Sequence, residues 1–443
     1  MAKANLSSIT SSVLVLLFLL LSHICLAQIE GQSSLCQFDK LKALQSNRQV
    51  KSDAGISDYW DFDGEDLEEL NCAGMSVVRH TIYQKALLFP SIFSSPLIYY
   101  VLEGVGLHGS VIPGCTEMYE SGTSKPSQYE EEQHQTVREI KHGDILALPT
   151  GSANWIYNYG NVTLIMVAFL RVSTTPPHHH HHHNHHHTQT SLNGNIFGGL
   201  DEATVAKAFN VDAELASKVQ KSSNGIMGDR IAYVGEDFHV LTHALMIKHE
   251  QHRRLNSLEK TSCNFQLRHN IDDPDQADIF NLEGGRISII TSSRLPILRT
   301  LQLTAERGVV YDNSMMVPHF TLNSYTLLYV TWGSGRVQVT DNHGHKVFDG
   351  ELKIDDLFVV PENYVVMKEA TGRSFEYISI KTSDKAIRTT LAGRVSVIRG
   401  LPDDVVAIAF GISREEAKRL KTSRVEAMLF RPSTTKTIAS TLH

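Results

Sequence analysis

The chain has 443 residues, 42% of them hydrophobic and 20% charged, an ordinary globular composition with length enough for two or three domains. That balance excludes a wholly disordered chain, a collagen-like repeat and a membrane protein with several spans. The 41 Lys and Arg against 48 Asp and Glu leave a formal charge of −7, which gives no general nucleic-acid footprint; the odd counts are 23 histidines and five cysteines.

At the N-terminus, Val13 to Leu21 is an unbroken apolar run of nine residues, preceded by Lys3. A bilayer span needs about 20 such residues. Cys25, Leu26 and Ala27 then place small residues where a signal peptidase reads them. Residues 1–27 are read as a secretory signal peptide cut between Ala27 and Gln28, in preference to a buried N-terminal helix. No later apolar stretch is long enough to span, so a soluble mature protein is expected. Its remaining cysteines are Cys36, Cys72, Cys115 and Cys263. An even number in an oxidising compartment favours two disulfides, and at this point all three pairings stay open. The cysteines include no C-x-x-C pair, so structural zinc is not expected. Asn161-Val162-Thr163 is a candidate glycosylation sequon.

Many short strands rich in Val, Ile, Leu, Tyr and Phe, punctuated by Gly, Asn, Asp and Pro, indicate an antiparallel barrel or sandwich. Phe265 to Arg268, Arg286 to Ile290, Ile297 to Leu303 and Arg336 to Val339 are examples. The chain also resembles itself. Val101 to Gly106 aligns with Val330 to Gly335, and Gly143 to Pro149 with Asp355 to Pro361. The offsets are 229 and 212, so the first copy carries about 17 extra residues between these runs. The intervening stretch Ser121 to Glu132 reads as a mobile surface excursion.

Nine imidazoles follow the first strand-rich half: His178, His179, His180, His181, His182 and His183, then His185, His186 and His187 after Asn184. Residues 176–190 are expected to form an exposed, disordered linker, because such a tract has no apolar face to bury. Two purposes compete for it: a loop expansion under little constraint, or metal capture, since neutral imidazoles at this density bind Zn, Cu or Ni. Beyond it, residues 195–220 and 396–421 match without a gap at Gly199/Gly400, Leu200/Leu401, Ala206/Ala407, Phe209/Phe410, Glu214/Glu415 and Ala216/Ala417. Each copy reads as two short helices, the second opening at Asp212 or Ser413, where Ser413 and Glu416 have capping-box spacing.

Ordered runs then carry a family resemblance. They include Asn71-Cys72-Ala73-Gly74, Val111 to Cys115, Asn270-Ile-Asp-Asp-Pro274, Leu295 to Arg299, Ala305-Glu-Arg-Gly308, Pro318-His319, Phe348 to Leu352 and Ser413 to Ala417. Over roughly residues 36–425 the chain resembles the legumin-type 11S globulins, seed storage proteins of the cupin superfamily. The resemblance implies an all-β bicupin: two cupin β-barrels, each followed by a short helical extension. It divides the chain into a 28–256 acidic-chain-like half and a 257–443 basic-chain-like half. The summed charges are −9 (17 basic, 26 acidic) and +1 (23 basic, 22 acidic). It implies an intrachain Cys36–Cys72 bridge and a Cys115–Cys263 bridge between the two processed chains. It implies homotrimers as proproteins, then cleavage between Asn256 and Ser257 by an asparaginyl endopeptidase and hexamers in the storage vacuole. Ser257 and Lys260 depart from the family's Asn-Gly and acidic junction pattern, and 16 Gln is few for an amide-rich reserve. Acidification is expected to protonate the His tract, bring the net charge toward zero and promote condensation.

Enzymatic cupins hold a metal through an H-x-H pair, a Glu and a later His. Counting back from Gly333 gives His319, Thr321 and Thr326, with Val366 in the second motif. The first copy gives Pro90, Ile92 and Leu97, with Asn154. One good ligand among eight positions predicts no barrel metal and no cofactor, with His319 as a structural residue. No G-x-S-x-G elbow, H-E-x-x-H or Walker loop is present, and Asp355 and Asp356 read as solvated turn acids. The sequence therefore predicts a non-catalytic seed storage globulin. Its rivals are a secreted protein that sequesters metal through the His tract, and a non-storage cupin binding a small ligand in one barrel.

Overall fold

The computed structural model describes residues 36–61, 67–112, 136–172, 195–222, 230–235 and 266–432. Residues 42–443 group as one unit, separate from the segment before them, and the fold below is that of the larger unit. Alternating apolar positions produce strands throughout, and almost every strand turns one face into a core.

In the first half a seven-stranded antiparallel sheet runs in spatial order Arg48–Ser52, Gly55–Trp60, Met75–Ile82, Leu164–Arg171, Leu97–Glu103, Asp144–Leu148 and Arg268–Asn270. A five-stranded sheet, Ile231–Tyr233, Ala86–Ile92, Ala153–Tyr157, Val105–Val111 and Thr136–Lys141, completes the first barrel. The second half is one eleven-stranded sheet. Its long strands Thr326–Thr340 and Val365–Lys381 pair along nearly their whole length, with register shifts near Trp332 and Gly335 that bend the sheet around. In the first half the matching strands are broken. Gly104, at φ 87°, separates two of them, as Gly333, at φ 70°, marks the bend in the second half. A Cβ at Gly333 would lie 1.9 Å from the Ser374 carbonyl oxygen, so only glycine fits.

The halves exchange arms. Arg268–Asn270, the first described strand after residue 265, pairs antiparallel with Asp144–Leu148 of the first barrel. Reciprocally, Leu44, ahead of the first barrel, bridges Leu357 of the second, its N–H donating to the Leu357 carbonyl at 2.7 Å. Ile145 and Leu357 are the paired positions in the two cases, and they are separated by the repeat offset of 212. One buried apolar cluster accordingly draws on both halves, including Tyr99, Phe169, Tyr329 and Ile378.

Helices Glu202–Phe209 and Ala213–Lys221 follow the first barrel; Asp403–Phe410 and Arg414–Thr422 follow the second. Asp212 accepts from the Leu215 N–H, and Ser413 with Glu416 forms the reciprocal capping box. Each pair buries two residues one repeat apart, Val205 and Ala216 in the first, Val406 and Ala417 in the second. The expected strand Ile297 to Leu303 is instead a short helix, Leu298–Leu301. Leu295, Leu298 and Leu301 at three-residue spacing are all buried, and Gln302 closes the turn at φ 56°. Apolar content alone hid that change of period.

Candidate functional site

The positions that carry a metal in enzymatic cupins lie on facing strands inside each barrel. In the second barrel His319 is the direct cross-strand partner of Val366. It is buried, and its Nδ1 donates to the Val317 carbonyl at 2.8 Å. Burial, together with the Lys368 and Lys381 ammonium groups, holds its pKa well below the ordinary value, so the ring is neutral. Thr321 and Thr326 are buried beside it in sequence. Among the described residues, no group of three or more His, Cys, Asp or Glu converges on a metal-sized site.

In the first barrel the partner of Asn154 is Ser91. A bulge between Leu88 and Ser91 shifts the register, so Ser91 stands in the place of His319 and the expected Pro90 does not. Ser91 Oγ and both amide atoms of Asn154 are buried without a protein hydrogen-bond partner. So are both ring nitrogens of His108, whose pKa burial and the nearby Arg138 push down to about 3.

The second barrel's interior carries a chain of charged side chains. Lys368 Nζ donates to Tyr377 Oη at 3.3 Å, and Tyr377 Oη donates to Glu306 Oε1 at 3.2 Å. Glu306 Oε2 meets Lys381 Nζ at 3.0 Å and the Arg388 guanidinium. Strand register identifies their first-barrel counterparts: Val78 for Glu306, Met166 for Tyr377, Leu170 for Lys381 and Ile156 for Lys368.

A second charged group joins the halves. Asp272, on the arm that crosses to the first barrel, meets His142 at 3.0 Å, Arg286 at 3.1 Å and Arg307 at 3.2 Å. Burial acts to raise the Asp272 carboxyl, but the His142 hydrogen bond and the two guanidinium groups outweigh it and hold it well below the carboxylate range. The same Asp272 contact raises His142, against its partial burial. A groove of about 600 Å³ opens here, lined by Lys141, His142, Asn270 and Arg286 among others. Its counterpart is Asp355, which pairs with Arg79 at 2.9 Å and accepts from Tyr329 Oη at 2.8 Å. Asp355 is thus no mere solvated turn acid. It holds φ 70° where the first half has Gly143 at φ 83°, so an inter-barrel contact offsets the strain of a non-glycine residue there. Asp356, next to it, accepts from the Lys353 N–H and from Gln45.

Of the other predicted residues, Cys36 and Cys72 are both disulfide-bonded, and Asn161 is exposed in the turn between the strands Ala153–Tyr157 and Leu164–Arg171. Ala27, Gln28, Cys115, Cys263, Asn256, Ser257 and the His tract lie outside the described residues. The charged chain of the second barrel and the Asp272 group were not anticipated. Their signal was present in Ala305-Glu-Arg-Gly308, where two opposite charges interrupt a run that continues as Val309-Val310.

Two such barrels in tandem define a bicupin, and the Cupin family model matches residues 41–217 and 269–418. The 11S globulin seed storage protein Ana o 2.0101 of Anacardium occidentale is 36% identical, over 93% of this chain and 96% of its own. The crystal structure of pumpkin seed globulin superposes with a TM-score of 0.76 at 37% identity, covering 90% of this chain and all (100%) of that one. Procruciferin, the 11S globulin from Brassica napus, gives 0.75 at 33% identity, with 90% and 99% covered. The chain belongs to the 11S seed storage globulins of the legumin type. Storage is the function the family carries, and its members are oligomeric.

Proposed function

We propose that this storage globulin acts by assembly and deposition alone, with no catalytic step. Reserve nitrogen is held by packing many copies into a protein storage vacuole, and a surface that self-associates is what that requires. The observation that carries this reading is the apolar surface of the helical extensions. Phe209 and Leu215 on the first, and Val405, Ile408, Phe410 and Leu420 on the second, are exposed, Ile408 to 84%. Exposed apolar residues clustered on both extensions mark an interaction surface, and each large aliphatic side chain covered is worth about 1.5–3 kcal/mol. A trimer whose extensions cover one another is the assembly proposed, consistent with the oligomers of the family.

Processing completes the proposal. The signal peptide 1–27 directs the chain to the secretory pathway, Cys36 bonds Cys72, and Cys115 bonds Cys263. An asparaginyl endopeptidase cuts between Asn256 and Ser257, and trimers then stack as hexamers. A glycan on Asn161 is compatible with its exposure. Protein purified from mature seed should sediment as a trimer or hexamer. It should run near full length without reductant and as two unequal chains with it. A monomer in sedimentation would overturn the assembly reading, and a single reduced chain would overturn cleavage at the altered junction.

A further inference from the structure

The hairpin between the strands Thr326–Thr340 and Lys346–Lys353 carries side chains that its fold does not need. Thr340 pairs with Lys346, and residues 341–345 close the turn. Asp341 holds it together. Its N–H donates to the His345 carbonyl at 3.0 Å, and its carbonyl accepts from the Gly344 N–H at 3.1 Å. Its Oδ1 accepts from the N–H groups of His343 and His345 at 2.9 and 2.7 Å. Gly344 supplies the left-handed step at φ 83°. Positions 343 and 345 contribute only backbone atoms to these bonds, so the turn closes whatever side chains stand there. Folding therefore does not account for histidine at both.

The two rings are nonetheless arranged. Their centroids lie 6.0 Å apart with the planes tilted by 40°. A metal bound to one nitrogen of each ring at about 2.0–2.1 Å would hold the centroids about 4.5–6.4 Å apart, according to the angle at the metal. His345 Nδ1 faces Asp341 Oδ2 at 3.0 Å. An ionised carboxylate only accepts, so Nδ1 carries the proton and the neutral ring keeps its lone pair on Nε2. A carboxylate behind an imidazole is also the support that metal-bound histidines commonly have. The His345 side chain is 78% exposed, and His343 is exposed as well. Lys346, the next residue, is drawn away toward Asp349 at 3.8 Å.

We propose that His343 and His345 chelate a divalent transition metal, Cu²⁺ most tightly, at the tip of this hairpin. Imidazole suits Cu, Ni and Zn, and Cu²⁺ stands highest in the order of affinities. Among the described residues no third His, Cys, Asp or Glu completes a metal-binding group, so the remaining coordination positions are left to solvent. The site is separate from the histidines of residues 178–187, because its spacing is set by an ordered turn. It is also independent of the storage reading, since a bound metal neither requires nor precludes a reserve role.

The test uses the intact oligomer with Cu²⁺ buffered by glycine. Diethyl pyrocarbonate modifies free imidazole nitrogens, and tandem mass spectrometry reads positions 343 and 345 apart from residues 178–187. Cu²⁺ should protect both positions with one common midpoint. Mg²⁺, which prefers oxygen ligands, should protect neither at the same concentrations. His343→Gln should raise the Cu²⁺ needed to protect His345 at least tenfold, and His345→Gln should do the same for His343, because either ring alone is a single ligand. Absence of Cu²⁺ protection at either position would overturn the proposal, as would equal protection by Mg²⁺. Unchanged protection of His345 in His343→Gln would also overturn it, since the rings would then act separately.

Discussion

The two barrels share strand order, arm exchange and helical extensions, yet their interiors differ in kind. Val78, Met166, Leu170 and Ile156 line the first; Glu306, Tyr377, Lys381 and Lys368 stand in their places in the second. Among the described residues the first retains polar groups such as His108 and Asn154, with the Arg138 guanidinium beside His108, but no counterpart of that linked charged chain. A single backbone solution therefore tolerates both an apolar and an ionic interior, and the difference marks the ionic one as a feature the fold does not demand. The contacts between the halves show the reverse. Each buried tyrosine at the junction, Tyr100 or Tyr329, meets an aspartate, Asp272 or Asp355, that also pairs with an arginine, Arg307 or Arg79. The repeat is preserved where the halves clasp and discarded where they enclose space.

The largest expected effect lies in the clasp. Asp272 and Arg307 are buried, with side chains 10% and 3% exposed, whereas Arg79 and Asp355 are 22% and 45% exposed. Removing one partner of a buried pair strands the other, typically at about 3–5 kcal/mol, while exposed pairs are worth about 0–1 kcal/mol. Asp272→Asn should therefore lower the thermal midpoint far more than Asp355→Asn. Equal losses would show that the two clasps are energetically alike.

Next is the acid response of the first barrel. His108 has its pKa pushed down to about 3 by burial, against about 6.5 in the unfolded chain. Below the unfolded value the unfolded chain takes up a proton that the folded one refuses. Stability is thus whole above about pH 6.5 and lost as pH falls toward 3, by about 2 kcal/mol at pH 5. His108→Val, which copies Val337 of the second barrel, should flatten that decline in unfolding measured across pH.

Smaller effects separate the helical extensions. Ser413 has a reciprocal bond from Glu416, and for Asp212 only the accepted Leu215 N–H is seen. Ser413→Ala should cost about 1 kcal/mol and Asp212→Ala somewhat less, read as faster amide exchange in each helix pair. Smallest is the alkaline loosening of the groove at Asp272. His142 Nδ1 faces the Leu102 carbonyl at 2.7 Å and Nε2 faces Asp272, so the doubly protonated ring fits both acceptors. Its raised pKa gives a stabilisation present at low pH and lost as pH rises through that value. His142→Gln should remove this alkaline-side loss, and the change is modest because the ring is more than half exposed.

Much of the fold was legible because its signals are local. The capping residues at Asp212 and Ser413, the glycines at the bends and the repeated apolar spacing of the helices all act within a few positions. The barrel interior was legible only in part. Strand alternation says which residues share a face, but Glu306 and Lys381 meet only because two strands pair far along the chain. The one-residue bulge before Ser91 depends on sheet curvature that no short window reveals. Asp355 was misjudged for the same reason, since its partner Arg79 belongs to the other half.

The central claim, that this bicupin is a seed reserve, is tested most directly by following the protein through seed maturation and germination with a quantitative immunoblot. Accumulation to a major share of protein in mature seed, followed by loss during germination, is the predicted result. A minor protein whose level holds steady through germination would contradict it.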